Sequence, residues 1–477
     1  MKEVIVIGGG LAGAEAALQI AKRKIKVELY EMKPEKFSDA HTNENLAEIV
    51  CSNSFKSNLL TNACGLLKEE LRLLGSELIK IADEVSVPSG QALSVDREKF
   101  SEKVTQKIEE NEYIKVIRKE MTQIPKDKIV IIATGPLTSE KIYNEILKLT
   151  GKENLFFYDA AAPIVEKSSI NMDIAFWGDR YAQERGKEED VSIWKERIKN
   201  QEASYINLPL NKEEYEKFYE ELVKAEVVTL HEFEKREIFE GCMPLEIMAK
   251  RGEDTLRYGP LKPVGFTDLR TGRRPYAIVQ LRQDNSEATL YNLVGFQTNL
   301  KFGEQKRVFS LIPGLENANF VKYGVMHRNT FINSTMILDE TYNMKENQNI
   351  FFAGQITGVE GYVESISSGL VAGINATVLA YIYQKEEDSN NEVNIDNKKI
   401  LEQYNKKKIT FPKETMIGAL SKYISTENDK FQPMNANFGI VPELKEKIKD
   451  KKERYKMLSN TAIQIIKKVV EEKNIWK

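Results

Sequence analysis

The chain opens with an apolar run that leads directly into a glycine-rich turn. Val4–Ile7 is continuously apolar, which predicts a buried parallel strand, and residues 8–13 follow it with the spacing Gly-x-Gly-x-x-Gly. An alanine-rich stretch from Ala14 to Ala21 predicts a helix, and a second apolar run, Val27–Tyr30, ends in Glu31. The order strand, glycine turn, helix, strand and acid is that of a dinucleotide-binding unit.

Each position in this unit has a physical role. Gly8 permits the tight turn, Gly10 lets the backbone approach a pyrophosphate, and Gly13 lets the helix lie close to the strand. The helix N-terminus offers N–H groups to phosphate oxygens, and Glu31 can accept a hydrogen bond from a ribose hydroxyl. An ordinary glycine turn is the alternative, but Glu31 follows at close to the ~20-residue spacing that favours a dinucleotide site.

The pattern continues as α/β through the first 150 residues. Apolar spacing predicts a helix over Leu66–Ile81, and Asp96 is placed to cap a helix over Arg97–Glu109. Ile129–Ile132 is a second buried strand, and it runs into the small residues 133–135. Such a strand end brings backbone close to a ligand at the carboxyl edge of the sheet.

The middle of the chain has a different character. Residues 184–199 are highly charged without a clear apolar face, which predicts an exposed insertion. Near residue 349 the α/β pattern returns, with a strand ending in small residues over 349–355 and a helix over Ser365–Tyr381. Two strand–glycine–helix units this far apart indicate one domain interrupted by another.

We therefore predict an α/β fold with a discontinuous Rossmann-like FAD-binding domain of the glutathione-reductase type. It comprises residues 1–170 and 315–477, and residues 171–314 form an inserted α+β domain. The second small-residue strand favours a flavin over NAD, because a flavin is held at both its adenosine end and its ring end.

Composition limits the remaining possibilities. No stretch approaches 18 consecutive apolar residues and the N-terminus does not resemble a secretion signal, so we expect no membrane span and a cytoplasmic location. Three cysteines, Cys51, Cys64 and Cys242, are too few and too far apart for a disulfide framework. Three histidines without close Cys or His neighbours argue against a metal site.

Charge is unevenly distributed although the net charge is only −3. Between Lys250 and Arg274 seven basic residues face three acidic ones, with Tyr258 and Phe266 among them. Such a patch suits a phosphate backbone, and a solvated loop with internal ion pairs is the alternative.

Two cysteines are candidates for chemistry. Cys242 precedes Pro244 and a predicted helix, where the helix dipole would lower the thiol pKa, although a buried apolar role is the alternative. Cys51 lies in a polar loop that also contains Lys56 and could cover a flavin ring, whereas Cys64 lies on an apolar helix and is predicted to be core.

Several segments in the same order resemble the flavin- and folate-dependent tRNA (uracil-5-)-methyltransferase family, TrmFO. They are residues 8–13, 51–55, 90–97, 239–244, 258–265, 326–330, 354–362 and 431–439. The resemblance covers nearly the whole chain. It implies that FAD, once reduced by NADH or NADPH, takes a one-carbon unit from 5,10-methylenetetrahydrofolate and delivers it to C5 of the T-loop uridine, position 54, of tRNA.

The resemblance also assigns roles to residues of this chain. Cys242 would add to C6 of uracil, because C5 becomes nucleophilic only after such an addition, and Cys51 would lie against the flavin. His327 and Arg328 would hold the folate, and the inserted domain of residues 171–314 would face RNA and folate. The cofactor-binding residues would be Gly8, Gly9, Gly10, Leu11, Ala12, Gly13, Glu31, Thr134, Gly135, Gly354, Gln355 and Gly358. The RNA-binding residues would be Lys250, Arg251, Arg270, Arg273 and Arg274.

Other functions stay open at this point. The same chemistry could act on 23S rRNA, or a GidA-like protein could modify the tRNA wobble uridine with a partner GTPase. A generic flavin oxidoreductase would need a resolving cysteine, and the sequence contains no C-x-x-C. An RNA-folding factor is a further alternative. We expect no obligate protein partner.

Overall fold

The structure is a computed structural model that describes most of the 477 residues. The described residues are 3–38, 40–151, 155–182, 189–199, 203–228, 243–268, 271–324, 326–389, 397–428, 431–444 and 448–473.

The strands are β1 (Glu3–Ile7), β2 (Lys26–Glu31), β3 (Ser54–Ser57), β4 (Ser86–Val87), β5 (Ala92–Val95), β6 (Ile114–Arg118), β7 (Ile129–Ile132), β8 (Leu155–Ala160), β9 (Ile164–Glu166), β10 (Phe176–Trp177), β11 (Tyr205–Leu210), β12 (Ala277–Gln283), β13 (Leu290–Leu293), β14 (Phe320–Lys322), β15 (Met326–Phe331) and β16 (Ile350–Phe352). The α-helices are α1 (Leu11–Ala21), α2 (Ala63–Leu73), α3 (Glu77–Glu84), α4 (Arg97–Glu109), α5 (Glu140–Thr150), α6 (Val191–Lys199), α7 (Lys212–Lys224), α8 (Leu245–Lys250), α9 (Thr255–Tyr258), α10 (Phe302–Phe309), α11 (Ser334–Ile337), α12 (Tyr362–Ser389), α13 (Asn397–Lys407), α14 (Met416–Tyr423) and α15 (Lys451–Lys473).

A five-stranded parallel sheet carries the glycine-rich turn. Its strand order is β16-β7-β1-β2-β6, so the first strand of the chain lies in the middle and β16 joins at one edge. The central strands are buried on both faces, which explains their uninterrupted apolar sequence. This sheet and its helices confirm the predicted α/β class.

Two helices pack against each other unusually closely beside this sheet. A Cβ on Gly369 of α12 would lie 2.2 Å from the carbonyl oxygen of Ala12, and one on Gly373 would lie 2.8 Å from that of Ala16. Glycine at these positions therefore lets α12 contact the backbone of α1. The contact brings the N-termini of both helices to the same edge of the sheet.

A second sheet forms the centre of the inserted region. It has six strands in the order β10-β11-β12-β13-β9-β14, and every pair in it is antiparallel. Helices α7, α8 and α10 contribute buried apolar residues to a core that is separate from the first. The division into residues 1–170 with 315–477 and 171–314 stays a prediction; β9 and β14 both pair in this second sheet.

Some local predictions are confirmed and others are wrong. Helix α4 has the predicted bounds, and the Asp96 side chain accepts a hydrogen bond from the Lys99 amide at 3.0 Å. The single helix predicted over Leu66–Ile81 is instead two helices, because Gly75 adopts a positive φ of 64° and Ser76 caps α3.

Two further helices, α6 and α12, are more buried than their sequences suggest. The charged segment near residue 190 includes α6, where Trp194 is buried at 2% exposure, so this helix does have an apolar contact. Helix α12 is long and apolar enough to cross a membrane, but 89% of its most apolar window is buried inside the protein. We therefore interpret α12 as a core helix.

Candidate active site

Two of the three motif glycines are required by the packing of the protein itself. Gly8 has a φ of +104°, and a Cβ there would lie 2.4 Å from the carbonyl oxygen of Ala133 on the neighbouring strand end. A Cβ on Gly13 would lie 1.9 Å from the carbonyl oxygen of Gly8. Glycine is therefore required at positions 8 and 13, because a side chain at either position would prevent the turn from packing against β7 and α1.

Gly10 is different, because the protein alone does not require glycine there. Its φ of −73° and ψ of −170° are accessible to any residue, and a Cβ would meet no atom within 4 Å. The open space lies at the N-terminus of α1, where backbone N–H groups favour an anion. The absence of a side chain at Gly10 leaves room for a ligand that approaches the backbone closely, as the pyrophosphate of a dinucleotide does.

Glu31 lies at the end of β2 and is 7% exposed. Its carboxylate accepts hydrogen bonds from the amides of Gly9 at 2.9 Å and Lys33 at 3.0 Å. These bonds hold the glycine turn against β2. Since each carboxylate oxygen can accept more than one bond, Glu31 retains capacity for a ribose hydroxyl.

A cavity that is partly open to solvent follows the carboxyl edge of the parallel sheet. It is lined by the predicted cofactor-binding residues Gly8, Gly9, Gly10, Leu11, Ala12, Glu31, Thr134, Gly135, Gly354 and Gln355. Gly13 and Gly358 are not among the lining residues. A Cβ on Gly358 would lie 2.4 Å from the Phe431 ring, so its φ of +84° serves the packing of the C-terminal loop.

One carboxylate in this cavity is held in its charged form. Burial acts to raise the pKa of Glu48, but the Thr42 amide, the Lys33 ammonium and His41 outweigh it, and the pKa is lowered. Lys33 is itself buried, and its Nζ lies 3.3 Å from Glu48 Oε2. The pair fixes the loop beyond β2 that lines this end of the cavity.

A second cavity, also partly open to solvent, lies between loops of the first region and the inserted sheet, and we call it the cleft. It contains Cys51 and Lys56 from the first region and Arg282 and Asn292 from the inserted one. Both cavities are lined by Val50, Pro136, Leu137, Gln355 and Tyr362. The first cavity, which we call the dinucleotide cavity, is therefore adjacent to the cleft.

Tyr362, the first residue of α12, fixes the loop that carries Cys51. Its hydroxyl oxygen accepts hydrogen bonds from the amides of Cys51 at 2.9 Å and Ser52 at 3.1 Å. Burial is the main cause that raises the pKa of Tyr362, so its hydroxyl stays protonated. The hydroxyl proton is therefore available to a ligand at the junction of the two cavities.

A buried polar network ties this loop to the inserted region. The Asn53 side chain donates to the carbonyl oxygens of Val95 and Gln283, and its Oδ1 accepts from Arg282 at 3.1 Å. Burial lowers the pKa of Arg282, although nearby Asp284 opposes that effect. The network gives the cleft fixed walls on both sides.

The C-terminal loop forms another wall. The Glu360 amide donates to the carbonyl oxygen of Met434, and the Met434 amide donates to that of Gly358, each at 2.8 Å. This pairing places Asn435 and Ala436 at the cleft.

The structure places the remaining predicted residues as follows. Cys242 and Arg270 lie outside the described residues. His327 and Arg328 belong to β15, where their backbones pair with Asp159 and Tyr158, and their side chains are outside the described part.

The basic residues predicted to bind RNA are exposed where the structure describes them, namely Lys250, Arg251, Arg273 and Arg274. Cys64 is buried as predicted, at 2% exposure, and it also borders the cleft. Within the described residues, no group of three or more His, Cys, Asp or Glu side chains could hold a metal.

Sequence reasoning assigned no role to four residues that line the cleft, Lys56, Arg282, Tyr362 and Glu364, or to Asn53, whose Oδ1 accepts a hydrogen bond from Arg282. Asn53 and Tyr362 lie within segments that carry the family resemblance, and Lys56 follows one directly, so those segments held a signal. Arg282 had none, because a single arginine in a strand pattern is usually a surface residue.

Comparisons with known proteins agree with this architecture. The family described as Glucose inhibited division protein A matches residues 3–382. Methylenetetrahydrofolate--tRNA-(uracil-5-)-methyltransferase TrmFO from Acetivibrio thermocellus is 55% identical over 466 residues, which is 98% of each chain. The protein of the same name from Enterococcus faecalis is 52% identical over 471 residues, covering 98% of this chain and 99% of its own.

Among solved structures, Aquifex aeolicus GidA in its form II crystal is 17% identical. It matches with a TM-score of 0.67 over 99% of this chain and 73% of its own, which shows a shared fold. With sequence identity above one half across nearly the full length of the relatives and a family match over most of the chain, the protein belongs to the TrmFO family of the GidA superfamily.

Proposed function

We propose that this protein is a folate- and FAD-dependent methyltransferase that acts on C5 of the T-loop uridine, position 54, of tRNA. The observation that supports the proposal is the adjacency of the dinucleotide cavity and the cleft, which share five lining residues. A flavin held along the sheet edge would place its ring beside the Cys51 loop, where an extruded base has room. The names of the relatives specify tRNA, which favours tRNA over rRNA.

The residues present fit FAD. The N-terminus of α1 and Gly10 would hold the pyrophosphate, Glu31 the ribose, and Gly354 and Gln355 the part nearer the ring. When bound, FAD supplies reducing electrons and carries the one-carbon unit from 5,10-methylenetetrahydrofolate to uracil. NADH or NADPH would restore the reduced state in each turnover. Gln355 is held by two hydrogen bonds of 2.8 Å to Glu360, so its orientation at the junction is fixed.

Cys242 is proposed to add to C6 of uracil, which makes C5 nucleophilic. The next described residues support a role at the cleft, because the Leu245 amide donates to the carbonyl oxygen of Gln297 at 2.7 Å and Gln297 lines the cleft. Cys51, on its anchored loop, is proposed to lie against the flavin ring. His327 and Arg328 are proposed to hold the folate.

The exposed basic residues Lys250, Arg251, Arg273 and Arg274 are proposed to contact tRNA phosphates, together with Arg270. The partners of this protein would then be tRNA, folate and a nicotinamide, and its location the cytoplasm. Replacing Arg273 and Arg274 with Glu should raise KM for tRNA and reduce the salt dependence of KM. Lys115→Glu is the control, since Lys115 is exposed on the first sheet.

The decisive experiment combines reconstitution with nucleoside analysis. Purified protein should bind FAD and form 5-methyluridine in a tRNA transcript, but not in one with cytidine at position 54. Cys242→Ala should abolish methylation while flavin absorbance is unchanged. Cells lacking the gene should lose 5-methyluridine from tRNA; loss from rRNA alone would overturn the proposed substrate, and colourless protein that cannot take up FAD would overturn the cofactor.

A further inference from the structure

Lys56 has a backbone conformation that is unusual for a residue with a side chain. Its φ is +62°, in the left-handed region that favours glycine. It lies in β3, where the pairing with β5 shifts register between Ser54 and Ser57. Bulges of this kind re-aim side chains beside active sites. Non-glycine residues held in this region often mark functional positions.

A buried lysine imposes this conformation. The Nζ of Lys68, from α2, donates to the carbonyl oxygens of Phe55 and Ser57, each at 2.7 Å, and to that of Cys64 at 3.2 Å. Phe55 and Ser57 are the residues on either side of Lys56. The Lys68 ammonium is fully buried and therefore holds both flanking carbonyls in place. Lys68 is thus a positioning residue for Lys56.

The Lys56 side chain borders the cleft, and its exposed fraction is 48%. Its Nζ lies 4.0 Å from Oε1 of Glu364, a residue 1% exposed. That oxygen also accepts from the Ala436 amide at 2.8 Å, whereas Oε2 has no hydrogen-bond partner among the described residues. The carboxylate keeps a cation at the cleft, and an ammonium has three N–H donors, so it can contact a ligand oxygen as well.

We propose that Lys56 is a catalytic residue that donates a hydrogen bond to the C4 carbonyl oxygen of the target uracil. This role rests on the proposed function. When the thiolate adds to C6, the sulfur–C6 bond forms and the C5=C6 electron pair moves toward C5 and O4. Negative charge then develops on O4, and a donor already in place there stabilises it. Lys56 keeps its proton throughout.

A neutral carbonyl fits this position better than an RNA phosphate. The Glu364 carboxylate beside the ammonium would repel a phosphate, whereas it tolerates an oxygen that is uncharged until the reaction begins. Lys56 also lies at the cleft, and not on the exposed basic surface between Lys250 and Arg274.

The test compares Lys56→Met with the wild-type protein. We expect kcat for tRNA methylation to fall about a hundredfold, the scale for losing one such donor. The KM for tRNA and its salt dependence should stay unchanged, as should FAD content and RNA-independent flavin reduction. Covalent trapping on tRNA that carries 5-fluorouridine at the target should slow in parallel with kcat. A raised KM with a reduced salt slope would make Lys56 a phosphate contact and overturn the proposal, as would an unchanged kcat.

Backbone strain is tested by a second pair of variants. Lys56→Gly should melt at a higher temperature than Lys56→Ala, because both lack the ammonium and only glycine suits the positive φ. Lys24 is the matched control, since it is exposed, has a φ of +60° and lies at the far end of α1. Lys24→Gly and Lys24→Ala should melt in the same order and keep the wild-type kcat. A lower melting temperature for Lys56→Gly than for Lys56→Ala would refute backbone strain at position 56. Methylation of tRNA by the wild-type protein tests the proposed function separately.

Discussion

Arg97 and Asp284 join the two regions of the protein through a largely buried ion pair, in which their side chains are 13% and 5% exposed. Arg97 Nε lies 3.0 Å and 2.9 Å from the two carboxylate oxygens of Asp284, and Arg97 also donates to the carbonyl oxygens of Ile49 and Val50. One arginine therefore connects the inserted sheet to the start of the Cys51 loop. The geometry of the cleft depends on this connection.

Asp284→Asn should be strongly destabilising, because it leaves Arg97, whose side chain is only 13% exposed, without its carboxylate partner. We expect the free energy of unfolding to fall by about 3–5 kcal/mol in a urea titration. Lys115→Gln is the control, since it removes an ion pair to Glu28 in which the lysine side chain is 72% exposed. That change should cost about 1 kcal/mol or less. Equal effects of the two substitutions would contradict the importance of the buried pair.

Tyr362→Phe should loosen the Cys51 loop, because two backbone N–H groups lose their acceptor. Hydrogen exchange in a peptide covering residues 49–56 should become faster, and the protein should lose about 1–3 kcal/mol of stability. Tyr383→Phe is the matched control, since its hydroxyl donates to Asn349 away from the cleft. Exchange in the same peptide should not change in that variant. Slow exchange in Tyr362→Phe would show that other contacts hold the loop.

Gly10→Ala and Gly13→Ala should separate cofactor binding from folding. Alanine at position 10 has space in the protein alone, so the melting temperature of the apoprotein should not change while flavin retention falls. Alanine at position 13 would overlap the Gly8 carbonyl, so that variant should be destabilised by about 1–3 kcal/mol or fail to fold. Flavin absorbance after gel filtration measures cofactor retention, and thermal melting of the apoprotein measures stability. Gly10→Ala with full flavin content would argue against a pyrophosphate at that position.

Cys64 should react slowly with iodoacetamide near neutral pH. Burial raises the pKa of its thiol to about 11, so at pH 8 only about one molecule in a thousand carries the thiolate. The alkylation rate should increase as the pH rises toward that value. Peptide mass spectrometry measures it, with urea-unfolded protein as the reference. Labelling of Cys64 as fast as in the unfolded chain would contradict the raised pKa of its thiol.

Local sequence predicted those features that depend on neighbouring residues. The Asp96 cap, the bounds of α4 and four of the five strands of the parallel sheet follow from patterns within one element, whereas β6 was not predicted. The break between α2 and α3 was missed, because the apolar spacing continues across Gly75.

The cleft was predicted only in part. Asn53 and Arg282 are distant in sequence and meet only in the folded protein, so neither residue alone indicates the network that joins them. The conformation of Lys56 depends on the Lys68 ammonium, which the spacing of apolar residues does not reveal.

The C-terminal wall of the cleft has a consequence for biosynthesis. The glycine turn and the Cys51 loop are synthesised well before Met434, Asn435 and Ala436, which form the C-terminal wall. A nascent chain can therefore fold its first βαβ unit long before the cleft is enclosed. Chemistry that requires exclusion of water from the cleft begins only after residues 434–436 have been synthesised and have packed in place.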